Sequence, residues 1–313
     1  MRIAIFGMGG VGGFFGGKLA QAGEEVYFIA RGVHLEAIRR SGLVVHSVTG
    51  DFTIQPARAE SDPAAIGPVD VVLVAVKAWQ VQEAARAIRP LVGAQTIVIP
   101  LENGVEAAPQ LAEVLGKEHV AGGFCRISSL IAAPGVIRHE GVEPIISFNW
   151  PDGHADPRLD ALRAAYERVG VKVEMPADVL AALWIKFIFI SSFSGVGAVT
   201  HAPSGVQLAV PETRQMLIDA IAEVSAVGRA CGVNLPADIE QRTLAYVESI
   251  PPHTTASMQR DILEGRPSEL EYQTGSIVRL GKLHGVPTPT HSFIYASLLP
   301  LEQRARGKLD FSV

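Results

Sequence analysis

The first twenty residues constrain this chain more than any other stretch. "RIAIFG" at 2–7 is an apolar run of strand length that passes at once into "MGGVGGFFGGKLA", with Gly7, Gly9 and Gly12 in G-x-G-x-x-G spacing. A buried strand turning directly into a glycine-rich helix start opens a parallel β-α-β unit. The first glycine permits the tight turn, the second lets backbone N–H groups approach a pyrophosphate, and the third allows close helix–strand packing. The helix N-terminus adds positive potential, so Gly7, Met8, Gly9, Gly10, Val11 and Gly12 form an expected phosphate cradle. Arg2 ahead of an apolar run has the look of a signal peptide, but the repeated glycines break such a reading.

The first half continues the alternation. "EVYFIA" (25–30), "VDVVLVAV" (69–76) and "QTIVIP" (95–100) read as further buried parallel strands, with helical spacing at 10–22, 78–89 and 104–115. This order predicts an α/β fold with a doubly wound, Rossmann-type sheet. Between about 119 and 148 shorter alternating segments predict antiparallel strands, and "DPRLDALRAAYERVG" with "VKVEM" adds one helix and one strand. After Met175 strand signals stop. Helices are expected from 178 onward and at 212–231, 236–249, 255–264, 269–284 and 291–306, separated at Pro251–Pro252, Pro267 and Pro287/Pro289. The expected domains are a dinucleotide-binding domain at 1–177 and an all-helical substrate domain at 178–313.

The helical half opens on a problem. "LAALWIKFIFISSFSGVGAV" at 180–199 is almost wholly apolar or small, yet carries Lys186. Its length suits a membrane span, but the central lysine, the serines and glycines, and the lack of a second such segment argue for a core helix. A lysine there either reaches solvent along its stem or stands in a catalytic pocket, because a buried ammonium without a partner is costly. The 48% hydrophobic and 19% charged composition over 313 residues is that of a soluble globular protein. A net charge of -5 with no dense Lys/Arg run argues against nucleic acid as a partner. Cys125 and Cys231 make neither a disulfide framework nor a zinc spacing, which points to a reducing cytoplasm and to no metal.

The second strand distinguishes cofactors. A chain that prefers NAD usually ends this strand with an acid for the ribose 2′-hydroxyl. Here "FIARG" has no acid and presents Arg31, whose guanidinium can grip a 2′-phosphate. Lys77, ending "VLVAVK", is a second candidate for that phosphate or for the adenine side. NADPH is the expected cofactor.

Taken together, "GxGxxG…AR" at 7–31, "VAVKAWQ" at 74–80, "LENGVE" at 101–106, the lysine-bearing helix and "HTTASMQRDILEGRPSELEYQTG" at 253–275 resemble the ketopantoate reductase family. The last stretch is the most specific, with its serine, its aspartate, and an acid followed by a tyrosine. The resemblance implies NADPH-dependent reduction of a small 2-keto acid, with Lys186 as general acid. It implies that Glu269 hydrogen-bonds the substrate oxygen and helps hold the lysine, that Ser257 meets the substrate carboxylate, and that Asn103 touches nicotinamide and substrate. A homodimer and no membrane association are the accompanying expectations. Each residue has a plainer reading: a helix-edge lysine, a solvated helix charge, a cap, a turn residue. Asp261 is expected to be a structural partner on the same helix as Ser257, and Glu102 and His201 receive no assigned role.

The departures bear on the substrate. Asparagines common in the family four and eight residues after the lysine are Ile190 and Ser194 here, and a further one is Ser204. The three are expected to line a more apolar pocket with fewer partners for a substrate hydroxyl. Two other readings stay open: a β-hydroxyacid or 6-phosphogluconate-type dehydrogenase, and a non-catalytic nucleotide-sensing protein.

Overall fold

The structure, a computed structural model, describes residues 1–311 and divides into two compact units. The first comprises Met1–Glu102 and Ala107–Val179, and the second comprises Asn103–Glu106 and the chain from Leu180 onward.

In the first unit the elements are β1 (Arg2–Phe6), α1 (Gly10–Gln21), β2 (Glu25–Ile29), α2 (Gly32–Ser41), β3 (Leu43–Ser47), β4 (Phe52–Ile54) and β5 (Arg58–Glu60). They are followed by β6 (Val69–Val74), α3 (Val81–Ala87), β7 (Val92–Pro100), α4 (Ala107–Leu115), β8 (Gly122–Ala133), β9 (Val136–Asn149), α5 (Pro157–Glu167) and β10 (Lys172–Glu174). One parallel sheet runs β5-β2-β1-β6-β7. β1 has β2 on one side and β6 on the other, so strand order reverses there, and the carboxyl ends of β1 and β6 border the crevice where such sheets take ligands.

The strands are apolar on both faces because each face has its own core. Ile3 and Ile5 of β1 pack in one cluster with Phe14, Phe15 and Leu19 of α1. Ala4 and Phe6 of the same strand pack in another with Val81, Ala84, Ala85 and Ile88. Phe14 and Phe15 are fully buried, a burial that stabilises by about 1.5–3 kcal/mol for each ring.

A second sheet runs β10-β9-β3-β4, and β8 joins it as the antiparallel partner of β9. The expected antiparallel region is thus a long hairpin turning at 134–135. The segment 31–68 holds α2 and three short strands, and the strands were not expected. β3 pairs in parallel with β9, Val44 opposite Val136, so its partner lies about ninety residues away and leaves no local sequence signal.

The second unit is helical: α6 (Val179–Thr200), α7 (Ser204–Ala209), α8 (Pro211–Ala230), α9 (Ile239–Ser249), α10 (Ser257–Leu263), α11 (Thr274–His284) and α12 (Pro289–Ala305). α6 is long and apolar enough to cross a membrane by length and composition, yet 67% of its most apolar stretch is buried inside the protein. Its glycines serve close packing, since a β-carbon on Gly197 would lie 2.6 Å from Gln259 Oε1 and one on Gly195 3.4 Å from Ile294 Cγ2. A helix apolar all round is a core helix when neighbours cover it. His201, just past its end, takes the left-handed conformation (φ 58°) that stops a helix. α7 was not expected; it is a short helix held at its first residue by contacts described below.

Candidate active site

In the first unit, the loop after β1 is shaped by contacts at its glycines. A β-carbon on Gly7 (φ 105°) would lie 2.6 Å from Ala75 O, and one on Gly12 would lie 2.1 Å from Gly7 O. One on Gly10 would strike Ser129 O of β8 at 2.3 Å. At Gly9 an added β-carbon would meet nothing within 4 Å. The loop is therefore closed against protein at three glycines and open at the fourth, the residue that caps α1. The first turn of α1 carries no acid, so the N–H groups and the positive helix end face that opening unopposed. A pyrophosphate fits this donor set.

Arg31 stands past the end of β2 as the cap of α2. Its side chain is 70% exposed and faces Glu83 at 3.6 Å, an exposed pair that holds it only weakly. Lys77 is exposed beyond the end of β6, its ammonium 5.8 Å from the Trp79 ring centre. Glu102 is buried and accepts a hydrogen bond from the Val76 N–H, tying the ends of β6 and β7 together. His34, which sequence reasoning passed over, accepts a hydrogen bond from the Gly135 N–H through Nδ1 and so fixes the hairpin turn against α2. Burial pushes its imidazole toward the neutral form.

In the second unit, five side chains form one hydrogen-bonded chain. Lys186 Nζ on α6 donates to Asn103 Oδ1 at 2.9 Å, and Asn103 Nδ2 donates to Glu269 Oε2 at 3.0 Å. Gln273 Nε2 donates to the same Glu269 oxygen at 3.3 Å, and its Oε1 accepts from Ser194 Oγ at 2.7 Å. Lys186 is half-buried and Glu269 is 7% exposed. The arrangement answers the cost of burying charge, because each ion meets amide dipoles of the right sense.

Local sequence explains how these groups are held. Asn103 sits in a four-residue segment, 103–106, that belongs to this unit and not to the sheet it follows. Gly104 (φ 105°) lets the segment approach closely, since a β-carbon there would lie 3.0 Å from Tyr272 O. Glu106 anchors its far end by accepting from Ser276 Oγ and from Arg279 Nη2, the latter at 2.8 Å. Arg279 also pairs with Glu271, which accepts from Tyr295 OH. Burial, and then that hydrogen bond, push the Tyr295 phenol up to about 12. Glu269 and Gln273 share a face because the 269–273 turn is helical, with Gln273 N–H donating to Glu269 O at 2.9 Å. Ser268, just before it, is held by Glu302, which Arg306 pairs at 2.6 Å.

Other expected site residues stand differently. Ser194 is fully buried, and beside Gln273 its hydroxyl faces only the Ile190 carbonyl at 2.5 Å. Ser204 is fully buried at the start of α7, where it gives its hydroxyl to Pro251 O and its N–H to Thr254 O. Both hydroxyls donate to protein acceptors, as a buried hydroxyl takes the nearest one. Ile190 is half-buried on α6, and Ser257 is exposed at the first residue of α10. Asp261 accepts from Arg266 through both Nε and Nη2, closing the end of α10. Gln273 and Glu106 were not found from sequence; the four-residue spacing from Glu269 to Gln273 was the available signal for the first. Among the described residues no group of three or more His, Cys, Asp and Glu is placed to hold a metal.

Comparison with known proteins shows the family. Residues 3–150 match the family described as ketopantoate reductase PanE/ApbA, and residues 178–302 match its C-terminal family. A 2-dehydropantoate 2-reductase of Nostoc sp. is 30% identical over 97% of this chain and 96% of its own. A crystal structure of a PanE/ApbA family ketopantoate reductase from Ralstonia eutropha has 34% identity and a TM-score of 0.86, covering 98% of this chain and 100% of that one. A D-mandelate dehydrogenase solved with NADH and anilino(oxo)acetate shares 22% identity with a TM-score of 0.86 over 98% of this chain and 100% of its own, a likeness of fold. With both halves matched and relatives aligned nearly end to end, the chain belongs to the ketopantoate reductase family.

Proposed function

We propose that this protein reduces a 2-keto acid to the 2-hydroxy acid with NADPH, and that its substrate carries a less hydroxylated tail than ketopantoate. The observation that carries the reading is the chain Lys186–Asn103–Glu269, an ammonium and a carboxylate held apart by one amide. When bound, the nicotinamide supplies the hydride that adds to the keto carbon. Lys186 gives one proton to the oxygen of the breaking C=O bond and regains it from water, so the products are the hydroxy acid and the oxidised cofactor. Asn103 Oδ1 aims the ammonium, and the ammonium stabilises negative charge growing on the oxygen. Glu269 accepts from the product hydroxyl as it forms.

The phosphate cradle at Gly7, Met8, Gly9, Gly10, Val11 and Gly12 suits a dinucleotide, and Arg31 in place of an acid at the end of β2 favours the 2′-phosphate. The substrate carboxylate is assigned to Ser257, which is exposed at the start of α10. With Ser194 and Ser204 turned to protein acceptors, Ile190 is what remains of the three departures to meet a substrate tail. Two free cysteines suit a cytoplasmic setting.

The test is NADPH consumption with ketopantoate, 2-ketoisovalerate, an aromatic 2-keto acid and pyruvate. Turnover of one or more, with ketopantoate not strongly preferred over 2-ketoisovalerate, is expected. NADPH binding without turnover of any of them would return the nucleotide-sensing reading. A strong ketopantoate preference would overturn the substrate assignment alone.

A further inference from the structure

We infer that Gln273 is a positioning residue for the reductase reaction proposed above, on which the inference rests: oriented by Ser194, its amide holds the Glu269 carboxylate in register with Asn103. An ionised carboxylate only accepts, so the Gln273 atom 3.3 Å from Glu269 Oε2 is the NH2 group. That orientation leaves Oε1 turned toward Ser194, whose hydroxyl lies 2.7 Å away. Ser194 has one hydrogen and two neighbouring oxygens, Gln273 Oε1 and the Ile190 carbonyl. Given to Gln273, that hydrogen completes an unbroken donor–acceptor sequence from α6 to Glu269. Gln273 and Ser194 are both fully buried, so water does not substitute for either contact.

The consequence lies in which Glu269 oxygen meets substrate. Oε2 receives two N–H donors, from Asn103 and from Gln273, and is fully engaged. Oε1 accepts no hydrogen bond among the described residues and is the oxygen left for the substrate. The groups around the carboxylate are Asn103 from its loop, Lys186 of α6 acting through Asn103, and Gln273 from its own turn, while Glu302 and Arg306 of the α12 end hold the adjacent Ser268. Without Gln273 the carboxylate has one anchor and can rotate about its last bond, so either oxygen faces the pocket.

A double-mutant cycle tests this, using wild type, Gln273→Leu, Glu269→Ala and the double variant, with Ser194→Ala as a second, milder perturbation. Gln273→Leu is expected to lower kcat/KM roughly ten- to hundredfold, as for a lost hydrogen bond to a charged group, while NADPH affinity stays unchanged. In the Glu269→Ala background the same change should alter kcat/KM by no more than about twofold. Ser194→Ala should fall between, with its effect abolished in Gln273→Leu. Equal losses in both backgrounds, or NADPH affinity falling in step with activity, would overturn the inference. Should wild type reduce no 2-keto acid, the reductase reading fails by itself, and the same cycle read on thermal unfolding decides: a Tm loss from Gln273→Leu that vanishes in Glu269→Ala upholds the linkage, and an additive loss refutes it.

Discussion

Asn103 is the bridge between the two ions, and two substitutions perturb it in opposite ways. Asn103→Ala removes the acceptor facing Lys186 at 2.9 Å and the donor facing Glu269 at 3.0 Å. Each is a hydrogen bond to a charged partner, and such bonds contribute about 1.5–3 kcal/mol. If one of them is realised fully only in the transition state, kcat/KM should fall roughly 10- to 150-fold. Asn103→Asp keeps an acceptor toward Lys186 but sets a carboxylate oxygen where an N–H donor stood beside Glu269 Oε2. Two carboxylates at that distance cannot both ionise, so the pair must share a proton. The folded state then holds a proton that the unfolded state gives up more readily, so stability is present at low pH and lost as pH rises. The Asp variant should therefore lose both activity and Tm as pH rises from about 4, the ordinary carboxylate range, toward neutrality, while the Ala variant follows the wild-type profile. Steady-state NADPH oxidation and thermal unfolding across that range measure both. An Ala variant within twofold of wild type would refute the bridging role, and so would an Asp variant with the pH response of Ala.

Lys186→Ala should keep NADPH affinity while turnover falls by about 10²–10⁴, the usual loss for a general acid; fluorescence titration and initial rates separate the two. Arg31→Ala should weaken NADPH by roughly 10- to 150-fold and NADH hardly at all, measured as paired dissociation constants; equal weakening would show that the guanidinium does not read the phosphate. Gly9→Ala should fold with a wild-type Tm but bind NADPH poorly, whereas Gly12→Ala, with its β-carbon 2.1 Å from Gly7 O, should lower Tm as well. Ile190→Asn should raise the ratio of kcat/KM for ketopantoate over 2-ketoisovalerate, because a buried amide left unpaired penalises the tail that lacks a hydroxyl.

The parts of the fold legible in the sequence are those whose signal is local. β1 and the start of α1 follow from an apolar run meeting three spaced glycines, and two of them, Gly7 and Gly12, have a steric reason in the structure, while Gly9 borders open space. β6 and β7 were legible because strands buried on both faces are apolar throughout. β3, β4 and β5 were not, being three to five residues long and stabilised by pairing with distant chain. The break after β7 was also missed. Residues 103–106 read as a turn leading into a helix, yet their side chains bond to α6, to the 269–273 turn and to α11. Nothing within four residues announces such a change of allegiance.

The same distinction applies within the site. Lys186 is conspicuous because it is the one charge in a twenty-residue stretch of otherwise apolar or small residues, and Glu269 because it follows a specific motif. Ser194 and Ser204 illustrate the limit. Helical spacing placed Ser194 on the Lys186 face correctly as geometry, but spacing does not say which acceptor a small hydroxyl will find. In the folded chain a glutamine seventy-nine residues away and a backbone carbonyl compete for it before any substrate can. The lysine needs a partner for its charge and finds Asn103; the asparagine then needs an acceptor and finds Glu269; the carboxylate needs a second donor and finds Gln273. Each requirement is a local fact of side-chain chemistry. Their order is fixed only when the 103–106 segment, α6 and the 269–273 turn are brought within 3.5 Å of one another.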